Sequence, residues 1–264
     1  MKRAEEGMTI VKLSHRRQFL QLVASAAALP AVPHIARAQG YPSHPVRIVV
    51  PYAPGGSTDT VARITGDRLS TIWGQQAVIE NKPGAGTNIG AAAVASSDPD
   101  GYTIFIGSSS LATSRLLYRS LPYALSDLAP VTLVCTFPLL LLVPNSSPAR
   151  SVAEFIAFAK EKTGKVTFAS PGVGTTPHLT GELFKQLSGL SLQHVPYRGG
   201  APTITAVIAG EIQLAFETML ALQPHVRAGT VRALAVTSPR RSAITPDIAT
   251  TAEAGFPALV ADNS

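Results

Sequence analysis

The chain has 264 residues, 45% of them hydrophobic, which is enough to bury one large core or two modest ones. Its formal charge of +6 is unevenly placed: residues 1–38 hold six Lys/Arg against two Asp/Glu, leaving 16 basic and 14 acidic residues, a net of +2, in the remainder. That remainder has no basic stripe with interleaved aromatics, so nucleic acid is excluded as a partner, and the single cysteine, Cys135, excludes both an internal disulfide and a cysteine metal cluster.

The N-terminus accounts for the excess charge. Ser14-His15-Arg16-Arg17-Gln18-Phe19-Leu20 precedes an apolar run over 22–29, and Ala36-Arg37-Ala38 follows. A basic region, a short apolar region and an A-x-A site make residues 1–38 a signal peptide, cleaved near Ala38. Arg16-Arg17 followed by Phe19-Leu20 resembles a twin-arginine signal, with an ordinary secretory signal as the alternative. Either places the mature chain outside the cytoplasm. No segment reads as a membrane span, and the apolar stretch 139–143, bounded by Pro138 and Pro144, reads as a buried strand.

The mature chain opens with β-branched residues at Ile48, Val49 and Val50, broken by Pro51, Pro54, Gly55 and Gly56. Ser57, Thr58 and Asp59 are helix N-caps, and Val61, Ile64, Leu69 and Ile72 then mark one broad helical face. A strand, a glycine turn and a helix N-terminus aim free N–H groups and the positive end of a helix dipole at one point, a natural place for an anion. For one such turn alone, packing is the favoured explanation.

A strand over 77–80 leads into a second glycine turn, Asn81-Lys82-Pro83-Gly84-Ala85-Gly86-Thr87-Asn88, and a helix of small residues over 89–95. Asp98-Pro99-Asp100-Gly101 is a turn, and a strand over 102–107 ends in Ser108-Ser109-Ser110. Strands alternating with helices predict an α/β fold with a mostly parallel sheet covered on both sides. Residues 128–144 read differently, as two strand-like stretches joined through Thr136-Phe137-Pro138, a crossover between lobes.

The pattern then repeats. Ser151 and Glu154 form a capping box ahead of Val152, Phe155, Ile156 and Ala159, and Gly164 stops that helix. A strand over 166–169 ends in Ser170-Pro171-Gly172-Val173-Gly174-Thr175-Thr176-Pro177-His178, followed by a helix lined by Leu179, Leu183, Phe184 and Leu187. A strand over 192–197 ends in Arg198-Gly199-Gly200, a short helix carries Ile204, Val207 and Ile208, and strands cover 212–216 and 231–236. Two similar halves of this kind face each other across a cleft beyond the carboxyl ends of their strands.

Catalytic patterns are weak. Gly55-Gly56-Ser57-Thr58-Asp59 lacks the second glycine of a nucleophile elbow, and neither a phosphate loop nor a dinucleotide fingerprint occurs. Ser57, Asp59 and His178 can be assembled into a hydrolase triad on paper, and this is the enzymatic alternative. The histidines of the mature chain are scattered, so no metal site is expected; His44, His194 and His225 read as surface or capping residues. His178 stands out beside a glycine turn. Arg198, at a strand end, is placed to pair with a carboxylate or to be solvated. Glu217 reads as exposed, with recognition of an amine or lobe closure as alternatives.

Taken together, the turns resemble those of the Bug-type solute-binding proteins of tripartite tricarboxylate transporters. The matching segments are Pro51-Tyr52-Ala53-Pro54-Gly55-Gly56-Ser57-Thr58-Asp59, Glu80-Asn81-Lys82-Pro83-Gly84-Ala85-Gly86, Asp98 with Gly101-Tyr102, Gly172-Val173-Gly174-Thr175-Thr176-Pro177-His178-Leu179, Val195-Pro196-Tyr197-Arg198-Gly199-Gly200-Ala201-Pro202 and Glu253-Ala254-Gly255-Phe256-Pro257. The resemblance implies a two-lobed periplasmic binding protein of Venus-flytrap, type II-like form, with lobe I over 39–136, lobe II over 137–238 and an incomplete segment over 239–264 that returns to lobe I. It implies no enzymatic activity and no cofactor. The expected ligand is a small organic carboxylate, the expected partners are the membrane subunits of a tripartite transporter, and the expected state is a monomer. A ligand-binding partner of a sensor kinase is the further alternative.

Carried over residue by residue, the ligand would meet Ala53, Gly55, Gly56, Ser57 and Asp59 on one lobe and Gly174, Thr175, Thr176 and His178 on the other. Ser108, Tyr197 and Arg198 form a second tier. Two departures stand out. Gln213 occupies a position where the family often has Asp. The chain also stops at Ser264, short of where the family continues, so lobe I is expected to expose apolar surface.

Overall fold

The computed structural model describes residues 40–162 and 164–264. The signal-peptide and twin-arginine readings lie outside the described residues.

The first sheet is built on β1 (Val46–Val50), flanked in parallel by β2 (Ala77–Asn81) and β3 (Thr103–Phe105) in the order β2-β1-β3. β1 is an unbroken apolar run apart from Arg47, as a strand covered on both faces requires. Helix α1 (Ser57–Trp73) ends at Gly74, which takes a left-handed φ of 65° while its N–H caps the Ser70 carbonyl. The sequence assigns Val61, Ile64, Leu69 and Ile72 to the inner face of α1. Leu69 does pack against the core of this sheet, but the residues buried against the sheet are Ala62 and Gly66, while Ile64 and Ile72 face outward. A Cβ at Gly66 would stand only 3.1 Å from Ile79 Cδ1, so close approach of helix to sheet selects small residues over large ones. Helix α2 (Asn88–Ala95) follows the second turn, and α3 (Ser110–Leu117), which the sequence reading did not anticipate, follows the serine run.

Residues 128–136, expected as strand-like, are irregular, with Val131 and Leu133 exposed. No strand among the described residues pairs with them, and without a ladder an apolar run does not form a strand.

The second sheet runs in the order β6-β5-β7-β4-β8: β4 (Phe137–Pro144), β5 (Val166–Ser170), β6 (Leu192–Pro196), β7 (Leu214–Thr218) and β8 (Val231–Val236). β5 is parallel to β6 and β7, and β4 is the reversed strand between β7 and β8. Four of the five strands therefore point the same way, as expected of a parallel-rich sheet, while both ladders made by β4 are antiparallel. β4 explains its own composition. Leu139, Leu141 and Val143 enter one core with Phe155, Phe168, Phe184 and Phe216, and Leu140 and Leu142 enter the other with Ile204, Val207, Met219 and Leu222. Each of these five β4 side chains is fully buried and contributes about 1.5–3 kcal/mol.

The flanking helices are α4 (Val152–Glu161), α5 (Thr176–Ser188), α6 (Gly200–Ile208) and α7 (Met219–Arg227). Ser151 Oγ caps α4 by accepting from Glu154 N–H at 3.2 Å, as the capping box predicts. Helix α7 is a second element missed from the sequence, although Met219 and Leu222 gave it an apolar face. Residues 239–261, expected to return to lobe I, pack instead on this second sheet, because Leu259 is fully buried in its core and Phe256 packs against it. The short strand β9 (Asp262–Asn263) pairs with the start of β4, and the Ser264 carbonyl accepts from Ser109 N–H at 3.0 Å. Among the described residues no helix is long and apolar enough to cross a membrane.

Candidate functional site

The first glycine turn is shaped by Asp59. Its carboxylate accepts from Gly55 N–H at 3.0 Å, from Asn81 Nδ2 at 2.9 Å and from Arg63 Nε and NH2 at 2.9 and 3.1 Å. Asn81 also donates to the Tyr52 carbonyl at 3.0 Å, tying the turn to the end of β2. Burial alone would raise the Asp59 pKa, but the hydrogen bonds from Arg63, Gly55 and Asn81 together hold it below the usual carboxylate range. Gly55 takes a φ of 86°, which leaves the Gly56–Ser57 backbone at the mouth of α1.

The glycine turn of the second lobe, residues 170–178, is held from below by histidine. Gly174 N–H donates to His178 Nδ1 at 3.1 Å, and Thr175 Oγ1 donates to the Gly172 carbonyl at 2.7 Å. The His178 ring lies against His194, centroids 4.1 Å apart, and both stack on Phe168. His194 Nε2 shares a hydrogen bond with Ser170 Oγ at 2.7 Å. Burial lowers the His178 pKa, and burial together with the neighbouring His178 pushes His194 down to about 4. His194 is therefore no surface residue: it is the floor on which the loop-holding histidine rests. With His178 neutral, Nδ1 is the acceptor and the ring proton sits on Nε2, 4.0 Å from Glu182 Oε1.

The two turns meet. Ala53 N–H donates to the Arg198 carbonyl at 2.9 Å, Thr113 Oγ1 to the Gly174 carbonyl at 2.7 Å, and Ser109 and Thr176 share a hydroxyl hydrogen bond at 2.8 Å. Contact depends on glycine at several points. A Cβ at Gly199 would stand 2.9 Å from Ala53 N, and one at Gly86 would overlap the Val173 carbonyl oxygen.

Between the lobes lies a cavity of about 340 Å³. Its walls are Pro51, Tyr52, residues 83–87 and Ile89 on one side, and residues 171–173 and 196–198 on the other. Arg198 is the one charged residue among them. Tyr52 leads away from the cavity into a file of hydroxyls: Tyr52 to Ser108 at 2.8 Å, Ser108 to Ser110 at 2.8 Å, Ser110 to Thr87 at 3.0 Å. Thr87 holds a φ of 91°, an uncommon conformation for a β-branched residue and a store of strain beside the cavity.

Of the nominated residues, Tyr197 and Arg198 line the cavity. Ala53, Gly55 and Gly56 face residues 198–201 across the seam, and Ser57 and Asp59 are buried behind them. Ser108 stands behind Tyr52, while Gly174, Thr175, Thr176 and His178 build the opposing turn. Tyr52 and residues 84–87 were not nominated, although Gly84 and Gly86 marked a turn. Ser57, Asp59 and His178 do not assemble into a triad, since Asp59 is held by Arg63 and Asn81, and His178 by Gly174. Gln213 lies elsewhere: its Oε1 accepts from Thr167 N–H and Oγ1 at 3.0 and 2.9 Å, fastening β5. Glu217, expected to be exposed, is only 2% exposed, because α6 and β4 cover it. Among the described residues no group of three or more His, Cys, Asp or Glu could hold a metal.

Comparison with known proteins follows this geometry. A family model described as the tripartite tricarboxylate transporter family receptor matches residues 61–263. Protein BugT of Bordetella pertussis is 40% identical over 227 residues, covering 85% of this chain and 70% of BugT. A UPF0065 protein of Pseudomonas sp. strain P51 is 39% identical, covering 84% of this chain and 66% of that protein. Among solved structures, a Rhodopseudomonas palustris protein with adipate superposes with a TM-score of 0.82 at 37% identity, over 84% of this chain and 75% of that one. MatC of the same organism, with bound malate, gives 0.80 at 31%, over 84% and 76%. The periplasmic binding protein BugD gives 0.81 at 32%, over 84% and 75%.

Proposed function

The chain belongs to the tripartite tricarboxylate transporter receptor family, a family of periplasmic solute-binding receptors and not of enzymes, and we propose that it captures a small organic carboxylate between its lobes and delivers it to the membrane subunits of a tripartite transporter. The observation that carries this reading is the interlobe cavity, in which Arg198 is the one charged wall residue and no carboxylate opposes it. Adipate and malate in two relatives are dianions of a size that such a cavity suits. Backbone N–H groups of the two turns supply further donors without a countercharge, and closure strengthens each bond by excluding water. Export through the N-terminal signal, with cleavage near Ala38, would place the receptor in the periplasm.

Thermal melts against a panel of di- and tricarboxylates, amino acids and aromatic acids test this. A ligand at 100 times its Kd adds about 2.7 kcal/mol of stability, a rise in Tm of several degrees for a chain of this size. Stabilisation without turnover is the expected result. No shift with any acid, or a turnover that Ser57→Ala abolishes, would overturn the proposal.

Two substitutions sharpen it. Arg198→Ala removes a charge-assisted partner worth about 1.5–3 kcal/mol, so titration calorimetry should show affinity falling roughly 10- to 100-fold. His178→Ala leaves Gly174 N–H unpaired and loosens the second turn. The cost of about 1–2 kcal/mol should appear as a roughly ten-fold weaker Kd, although His178 is not among the residues that line the cavity.

A further inference from the structure

The walls of the interlobe cavity are unevenly supplied with hydrogen-bond donors. Four of the wall residues, Pro51, Pro83, Pro171 and Pro196, carry no N–H. Other donors are already committed. The N–H of Gly172 donates to Ser170 Oγ at 3.2 Å, that of Tyr197 to the Ser170 carbonyl at 2.9 Å and that of Thr87 to the Gly84 carbonyl at 3.1 Å. The hydroxyls of Tyr52 and Thr87 bond to Ser108 and Ser110. The wall side chains left to meet an anion are Arg198 and the Tyr197 hydroxyl, on two adjacent residues just beyond β6.

Two other walls have the opposite character. Ile89, in the first turn of α2, is 52% exposed, and Val173, on the opposing lobe, is 37% exposed. Neither packs into a hydrophobic core. Ile89 lies over the turn that precedes it, where a Cβ at Gly84 would stand 2.5 Å from Ile89 Cδ1. Single apolar residues at a surface are ordinary, but these two border one cavity from opposite sides, so a ligand that fills it removes both from water.

We propose that the cavity selects an acid with one carboxylate and an apolar body, the carboxylate at Arg198 and the body between Ile89 and Val173. The inference rests on the function proposed above and names the ligand class of that site. A carboxylate at Arg198 gains a charge-assisted partner, and each methylene buried beyond it tightens binding about four-fold. A second carboxylate at the far end would exchange water for prolines and aliphatic side chains, with no second cation to receive it.

Calorimetry at pH 7.5 with butyrate, hexanoate, adipate and malate tests this. Hexanoate and adipate have the same number of carbons and differ by a methyl group in place of a carboxylate, so their comparison isolates the second charge. Hexanoate should bind at least about ten-fold more tightly than adipate or malate, and roughly 15-fold more tightly than butyrate, the gain for two buried methylenes. Ile89→Ser should cut the hexanoate-to-adipate ratio several-fold. Adipate or malate binding as tightly as hexanoate, or more so, would mean that the 83–87 turn receives a second carboxylate through its remaining N–H groups, and would overturn the inference. Equal affinities for butyrate and hexanoate would overturn it too, as would an unchanged ratio in Ile89→Ser. The ratio in the unaltered protein decides the matter even if the variant folds poorly. Binding of the dicarboxylates alone defeats this inference and leaves the proposed function standing, whereas absence of binding by every acid tested defeats both.

Discussion

Replacing Gly86 with valine abolishes ligand capture while leaving both sheets folded. Gly86 takes a left-handed φ of 59° at the tip of the turn between β2 and α2. It packs back to back with the opposing turn: a Cβ at Gly172 would stand 3.5 Å from Gly86 Cα, and a Cβ at Gly86 would overlap the Val173 carbonyl oxygen. Tyr118 Oη stands 2.8 Å from the same point but is the end of a side chain that can turn away. The Val173 carbonyl cannot, because it is backbone of the other lobe. The lobes must part by the width of the added group, and the hydrogen bonds from Ala53 to Arg198 and from Thr113 to Gly174 open with them. The conformational penalty for a β-branched residue there, about 1–2 kcal/mol, falls on a turn outside both cores and leaves them untouched. Affinity for the acid should fall at least about 100-fold, the size expected when two or three charge-assisted bonds lose their geometry. Far-UV circular dichroism should be unchanged, and small-angle scattering should show no ligand-induced contraction. Binding of Gly86→Val within a few-fold of the unaltered protein would show that capture does not need this approach.

Gly86 also shows what a sequence reveals. The turns were legible because Gly, Pro and Ser act locally: Pro51 to Ser57 and Ser170 to Thr176 each declare a strand end and a helix start within a few residues. The alternation of strands and helices was legible for the same reason, and so was the capping box at Ser151 and Glu154. What depends on distant neighbours was not. Ile64 and Ile72 look like a buried face until the sheet is seen to approach Ala62 and Gly66 so closely that large residues must face outward. His194 looked like a surface residue because the ring that stacks on it, His178, belongs to another element. Glu217 looked exposed because α6, which covers it, comes earlier in the chain and returns to it only in three dimensions. Residues 128–136 have the composition of a strand and no partner to make one. The cavity itself combines Tyr52, residues 83–87, residues 171–173 and residues 196–198, four turns that no spacing rule brings together.

Asp59→Ala should be the most damaging single change within the first turn. Four hydrogen bonds converge on this carboxylate, from Gly55, Asn81 and the two nitrogens of Arg63. Alanine leaves the Gly55 N–H without its partner, releases the Asn81 amide that also holds the Tyr52 carbonyl, and unpairs Arg63. The half-exposed Arg63 finds water, so its share is small, and most of the loss comes from the Gly55 N–H and the Asn81 amide that meet the buried carboxylate. The expected destabilisation is about 2–4 kcal/mol at pH 7, read from urea midpoints. Its pH dependence identifies the cause. The folded pKa of Asp59 lies below its unfolded value of 3.8, so its contribution is fully present above that value and is lost as pH falls through the depressed folded pKa. The gap between Asp59→Ala and the unaltered protein should therefore be widest at neutral pH and shrink toward pH 3. Asp59→Asn separates charge from shape. It retains one acceptor oxygen but presents an NH2 group where the carboxylate received a second donor, and should fall between the two. An equal gap at pH 7 and pH 3 would mean that packing, and not the ionised carboxylate, supports the turn. Loss of ligand affinity beyond the fraction unfolded would further show that the same carboxylate holds the Gly55–Ser57 backbone in its ligand-facing form.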